Sequence, residues 1–123
     1  MANGMMVEVI RVIKRFRTVE KMERRDDLLL SVVDETLRQV FREAGTKVFY
    51  DYFEVNFHLR WDEIAEKPEV FSDGLERLLG SAAPVIEKMI LKNLYSKLGL
   101  KFKEKGGYEF SDYVRELRRR FEG

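Results

Sequence analysis

Residues 68–100, PEVFSDGLERLLGSAAPVIEKMILKNLYSKLGL, decide how the rest of the chain is read. Phe71, Leu75 and Leu79 recur at i, i+4 and i+8, and Ile86, Ile90 and Leu94 repeat that spacing. At helical period each set falls on one face, so the stretch predicts two amphipathic helices. Pro68 suits a first helical turn, where its missing N–H has no partner to lose, and Gly80 suits the left-handed residue past a helix end. Ser81 is placed to cap the second helix, with Pro84 inside its first turn, and Gly99-Leu100 supply the next stop.

Upstream, Asp26-Asp27 reads as a helix start, with negative charge at the positive end of the dipole. Leu28, Leu29, Val32, Val33, Leu37, Val40 and Phe41 form an apolar stripe that Gly45 ends, and Thr46 caps the next segment. There Phe49, Phe53 and Phe57 share one face, flanked by Val48, Tyr50, Tyr52 and Val55. A short helical turn follows over residues 61–66, with Trp61 and Ile64 spaced to fold back on the core. Downstream, Leu100-Phe102 and Tyr108-Phe110 flank Gly106-Gly107, which signals a short hairpin near residues 100–110. Ser111 caps a last helix carrying Tyr113, Val114, Leu117 and Phe121. Residues 7–17 have two readings: an amphipathic helix with Val9, Ile13 and Phe16 on one face, or a β-branched strand that pairs with its symmetry mate. The expectation is an all-α bundle of about five helices, as an N-terminal basic and apolar segment over residues 1–25 and one helical domain over residues 26–123.

With 123 residues such a domain buries roughly two-thirds of its unfolded surface and needs no disulfide or metal to hold it. There is no cysteine, which removes disulfides, thiolate zinc sites and cysteine nucleophiles together. The chain is 37% charged yet has three Asn and one Gln, the bias of a hyperthermophile protein, and an archaeal source is expected. The net charge of +1 hides a pattern. Residues 1–25 hold seven basic and three acidic groups, whereas residues 26–98 hold nine and fourteen. No run approaches the ~20 apolar residues of a membrane span, and the first residues do not read as a signal peptide, so a cytoplasmic protein is expected.

Few groups are arranged for chemistry. His58 is the single histidine, and a useful metal site needs three or four ligands, so no metal and no cofactor are expected. Asp26-Asp27, Asp34-Glu35 and Asp62-Glu63 are adjacent and diverge on a helix, whereas Asp51 and Glu54 share a face and read as its solvated side. There is no phosphate-cradling glycine loop and no nucleophile elbow, so no catalytic residue is assigned. The basic groups Arg11, Lys14, Arg15 and Arg17 near the start, and Arg118, Arg119 and Arg120 near the end, would hold nucleic-acid phosphates if the two ends meet.

The run WDEIAEKPEVFSDGLERLLGSAAPVIEKMILKNLYSKLGL, followed by YEFSDYVREL, resembles a small archaeal all-helical domain family of uncharacterised function. The similarity covers about residues 45–117, and its markers are Trp61, Pro68-Glu69, Phe71, Leu75, Gly80, Ile86-Glu87, Leu94 and Gly99. The family occurs alone or at the end of archaeal signal-transduction chains, so the resemblance implies an output-type domain. Its markers are packing and capping positions and carry no active site across. The expected function is a non-catalytic interaction or regulatory module that forms a homodimer or binds a further protein. The alternative is a nucleic-acid-associated regulator that uses the basic ends.

Overall fold

A computed structural model describes the backbone of residues 2–122 and the side chains of residues 26–120. The chain is all-α: helices α1 (Ala2–Phe57), α2 (Pro68–Leu79), α3 (Ala83–Lys97) and α4 (Phe110–Glu122), with single 3₁₀ turns at Trp61–Glu63 and Gly80–Ala82. Residues 7–17 are helical. Asp26-Asp27 does not begin a helix, because α1 already runs through it from Ala2.

One apolar cluster holds the bundle together. From α1 it takes Leu29, Val32, Val33, Leu37, Phe49 and Phe53, and from α2 the fully buried Phe71 and Leu75. Ile86, Ile90 and Leu94 come from α3, and Phe110, Val114 and Leu117 from α4. Burying a side chain of this size is worth about 1.5–3 kcal/mol, which is why the i, i+4 stripes dictate the packing. Ring stacking ties the layers: Phe53 lies 5.3 Å from Phe71, and Phe71 lies 5.9 Å from Phe110. One polar link crosses the same interior. Thr36 is fully buried, donates to the Val32 carbonyl at 2.7 Å and accepts from Asn93 Nδ2 at 3.2 Å.

The turn chemistry corrects the sequence reading at several points. The break in α1 falls at Arg42 (φ 64°, ψ −177°), not at Gly45. Gly45 is helical, and a β-carbon there would lie 2.9 Å from Phe41 Cβ, so it serves close approach and not helix termination. Thr46 accordingly sits inside a helix and donates back to the Arg42 carbonyl at 2.6 Å. Ser81 makes no side-chain cap, since a 3₁₀ turn carries the chain from Gly80 (φ 57°) into α3. The α3 end follows the expected glycine stop. Gly99 has φ 71°, the Leu100 N–H donates to the Tyr95 carbonyl at 2.9 Å and the Gly99 N–H to the Ser96 carbonyl at 3.0 Å, a Schellman arrangement. Asp112 caps α4 by accepting from the Glu109 N–H at 2.8 Å, a role assigned from sequence to Ser111.

The hairpin near residues 100–110 does not form: among the described residues there is no strand, and Gly106-Gly107 is a turn in irregular chain. Two-residue arms bury too little to hold a ladder. Instead Tyr113 of α4 pins the segment, its hydroxyl oxygen accepting from the Lys105 N–H at 2.8 Å. Ile64 folds into the core as expected, but Trp61 remains half exposed.

Candidate functional site

Two concave regions gather polar side chains. The first lies between α2, α3 and the irregular segment before α4, with a volume of about 490 Å³. Its walls join apolar Leu91, Phe102, Phe110 and Tyr113 to carboxylates Asp73, Glu76, Glu87, Glu104 and Glu109. Glu87 is half-buried and accepts from Ser72 Oγ at 2.7 Å. Burial pushes its carboxyl above the usual range against the pull of the Ser72 hydrogen bond, and Glu76 and Glu109 add repulsion.

The lysines of this cleft are engaged at its rim. Lys88 pairs with Glu104 at 2.5 Å and Lys105 with Glu116 at 2.5 Å. Lys105 Nζ also stands 5.0 Å from the Tyr108 ring centroid, and the Tyr108 hydroxyl donates to Glu116 at 2.6 Å. That hydrogen bond raises the Tyr108 hydroxyl pKa, and Lys105 and Tyr108 together hold Glu116 low. The result is an acidic cleft with an aromatic floor, fixed in shape by its own ion pairs. Among the described residues no group of three or more His, Asp or Glu is arranged to hold a metal ion.

The second region is a shelf of about 510 Å³ between the two limbs of α1, before and after Arg42, and the Trp61 turn, lined by Asp27, Leu30, Ser31, Asp34, Arg38, Tyr50 and Trp61. Asp34 organises it, accepting from Arg38 Nε at 2.8 Å and from the Tyr50 hydroxyl at 2.9 Å. Burial, then the Asp34 hydrogen bond, raises the Tyr50 hydroxyl pKa well beyond the ordinary tyrosine range, so Tyr50 stays a neutral donor. Trp61, 52% exposed, presents an indole face at the shelf edge.

The residues singled out from sequence fall elsewhere. His58 is exposed with φ 51°, and Asp51 and Glu54 are exposed on α1. Arg118 is held in the fold, donating to the Ala65 carbonyl at 3.1 Å and to Asp26 at 3.3 Å. Arg119 and Arg120 are exposed. The side chains of Arg11, Lys14, Arg15 and Arg17 lie outside the described residues. Neither the Ser72–Glu87 pair nor the shelf is visible in sequence spacing, because each is assembled from separate helices. The one available signal was Trp61, a large aromatic in a short charged connection. Among the described residues no helix is long and apolar enough to cross a membrane. Comparison with family models, with curated proteins and with solved structures finds no match to this chain.

Proposed function

We propose that this protein is a cytoplasmic, non-catalytic interaction module that self-associates, from an archaeal hyperthermophile. The observation that carries the reading is the reach of α1. Its first limb runs from Ala2 to the break at Arg42, where the chain folds back and brings the Tyr50 hydroxyl to Asp34 at 2.9 Å. At 1.5 Å rise per residue that limb is about 60 Å long, more than a 123-residue domain requires. The segment before the bundle carries Met5, Val9, Val12, Phe16 and Val19 at spacings of 4, 3, 4 and 3, the pattern of a helix that pairs with another helix. With the two limbs of α1 counted separately, the reading is of about five helices, the number expected from the sequence patterning, and the resemblance adds an output-type role.

Sedimentation velocity of the intact chain across a concentration series tests this reading. A mass that rises with concentration supports it, and a single 14.6 kDa species at tens of micromolar ends it.

A second reading has one observation in its favour. The Arg118–Asp26 contact, at 3.3 Å, brings the end of α4 beside the stretch of α1 that follows the basic segment. The basic ends would then form one surface for nucleic-acid phosphates. Filter binding at two salt concentrations tests it, since phosphate contacts must weaken steeply with salt. No retention at low salt removes the idea.

A further inference from the structure

Arg42 is the residue of α1 whose backbone leaves the helix, and the chain reverses there. The limbs on either side are regular helix. They close on one another through Asp34 and Tyr50 at 2.9 Å and through Phe41 and Phe49, whose rings stack at 5.2 Å. A reversal between two antiparallel helices ordinarily takes a loop of about two to five residues. Here one residue carries it, in a conformation that is essentially glycine-only.

Two features are unfavourable in the bend and are relieved when the same segment is straight. A helical φ at Arg42 would remove its strain and leave α1 unbroken from Ala2 to Phe57. The bend also crowds Gly45, where a β-carbon would stand 2.9 Å from Phe41 Cβ. On a continuous helix, β-carbons four residues apart are about 5–6 Å from one another. The bond from the Thr46 hydroxyl to the Arg42 carbonyl, at 2.6 Å, has the i, i−4 separation of an unbroken helix and survives straightening. Straightening one copy alone strips the first limb, with its buried Val32, Val33 and Leu37, from the helices that cover it. A second straightened copy restores that cover. The Asn93–Thr36 hydrogen bond at 3.2 Å and the Lys97–Glu35 ion pair at 2.9 Å then run between copies with their chemistry unchanged.

We infer that Arg42 is a hinge for exchange with a second copy of the chain: α1 straightens, and the second limb, α2, α3 and α4 of each copy close on the first limb of its partner. The interface is the one already inside the bundle, so its complementarity is given, and a short strained hinge is what favours exchange. The contact is isologous and closes at two copies. Exchange needs the bundle to open, so it occurs on refolding at high protein concentration and not on mixing folded copies. It goes beyond the pairing proposed above, which lies in the first turns of α1 and leaves each bundle closed.

Refolding of the Phe16→Asp protein tests it, because that substitution removes the pairing proposed above. The chain has no cysteine, and Ser31 and Glu54 are exposed, so Ser31→Cys and Glu54→Cys in one chain carry spin labels without background. Labelled chain refolded at high concentration with an excess of unlabelled chain reports intramolecular distances only. In the dimer fraction, a straight α1 sets the labels about 35 Å apart at 1.5 Å rise per residue, whereas a bent α1 keeps them within about 20 Å. Arg42→Gly relieves the bend in both copies and should lower the yield of dimer about tenfold. Gly45→Ala, whose β-carbon fits the straight helix, should raise it. A dimer with the longer distance, responding in these directions, is the result expected. No dimer at any refolding concentration, a dimer that keeps only the short distance, or a yield that Arg42→Gly leaves unchanged overturns the inference. Self-association through the first turns is read on the chain before unfolding, so its failure shows there and not in this distance.

Discussion

The Phe53 ring occupies the space that a β-carbon on Gly74 would need: its Cε1, Cδ1 and Cζ all crowd the place where that carbon would stand. Gly74 is in the middle of α2, where glycine is a poor helix former, so packing and not backbone freedom accounts for it. The ring cannot step aside. It is 2% exposed and lies 5.2 Å from Phe49, 5.8 Å from Phe57 and 5.3 Å from Phe71. Gly74→Ala should therefore destabilise the protein despite the better helix propensity of alanine, worth about 1 kcal/mol. Overpacking of about 1–3 kcal/mol outweighs that gain and lowers the melting temperature by several degrees. Thermal unfolding followed by circular dichroism checks it, and an unchanged or raised midpoint would contradict the packing described.

Arg42 gives the opposite expectation. Its backbone, at φ 64° and ψ −177°, is in a region that is essentially glycine-only, and its side chain is exposed. Holding a non-glycine residue there costs about 1–3 kcal/mol, against about 0.5–1 kcal/mol for the greater chain entropy that glycine loses on folding. Arg42→Gly should stabilise the protein by roughly 1 kcal/mol, read as a higher denaturation midpoint with an unchanged slope. A loss of stability would mean that the bend in α1 is not where the strain is held.

Glu87 makes a pH-dependent case. Its carboxyl is raised in the folded protein, so the fold favours the protonated form. The contribution is present below the unfolded carboxyl pKa and is lost as pH rises through the folded one. Glu87→Gln keeps an acceptor for Ser72 and removes the charge. It should raise stability at neutral and alkaline pH, with the gain shrinking towards about pH 4, where both folded and unfolded carboxyls take up protons. Unfolding curves across this range decide it, and a gain that grows as pH falls would reverse the assignment.

The parts of this fold that follow from local periodicity were legible in the sequence. Phe71 with Leu75, and Ile86 with Ile90 and Leu94, lie on buried faces as their spacing requires, and Pro68 opens α2. What was not legible depended on contacts between distant residues. Gly45 reads as a stop, but the approach of Phe41 explains it, and the actual bend falls on an arginine that no propensity would select. Gly106-Gly107 reads as a hairpin because turn chemistry is local, whereas holding two strands needs buried area that the flanking arms lack. Ser72 and Glu87 meet across two helices, 15 residues apart, a separation that the i, i+4 rule does not reach. Ile64 and Trp61 both read as inward from their spacing, yet only Ile64 is buried, and Trp61, at the start of the 3₁₀ turn, borders the shelf.

Light scattering on the intact protein and on two single variants bears most directly on the role given to the first turns of α1. The intact chain should run at about 29 kDa, twice the 14.6 kDa of one copy. Phe16→Asp should convert it to a monomer with its helical circular dichroism retained, since a carboxylate on the apolar row through which these turns are proposed to pair would have to be buried without a partner. Val55→Asp, on an exposed part of α1 away from the Trp61 shelf, should leave the mass unchanged. A 14.6 kDa intact chain, or a Phe16→Asp protein that remains at twice that mass, would contradict self-association through this helix.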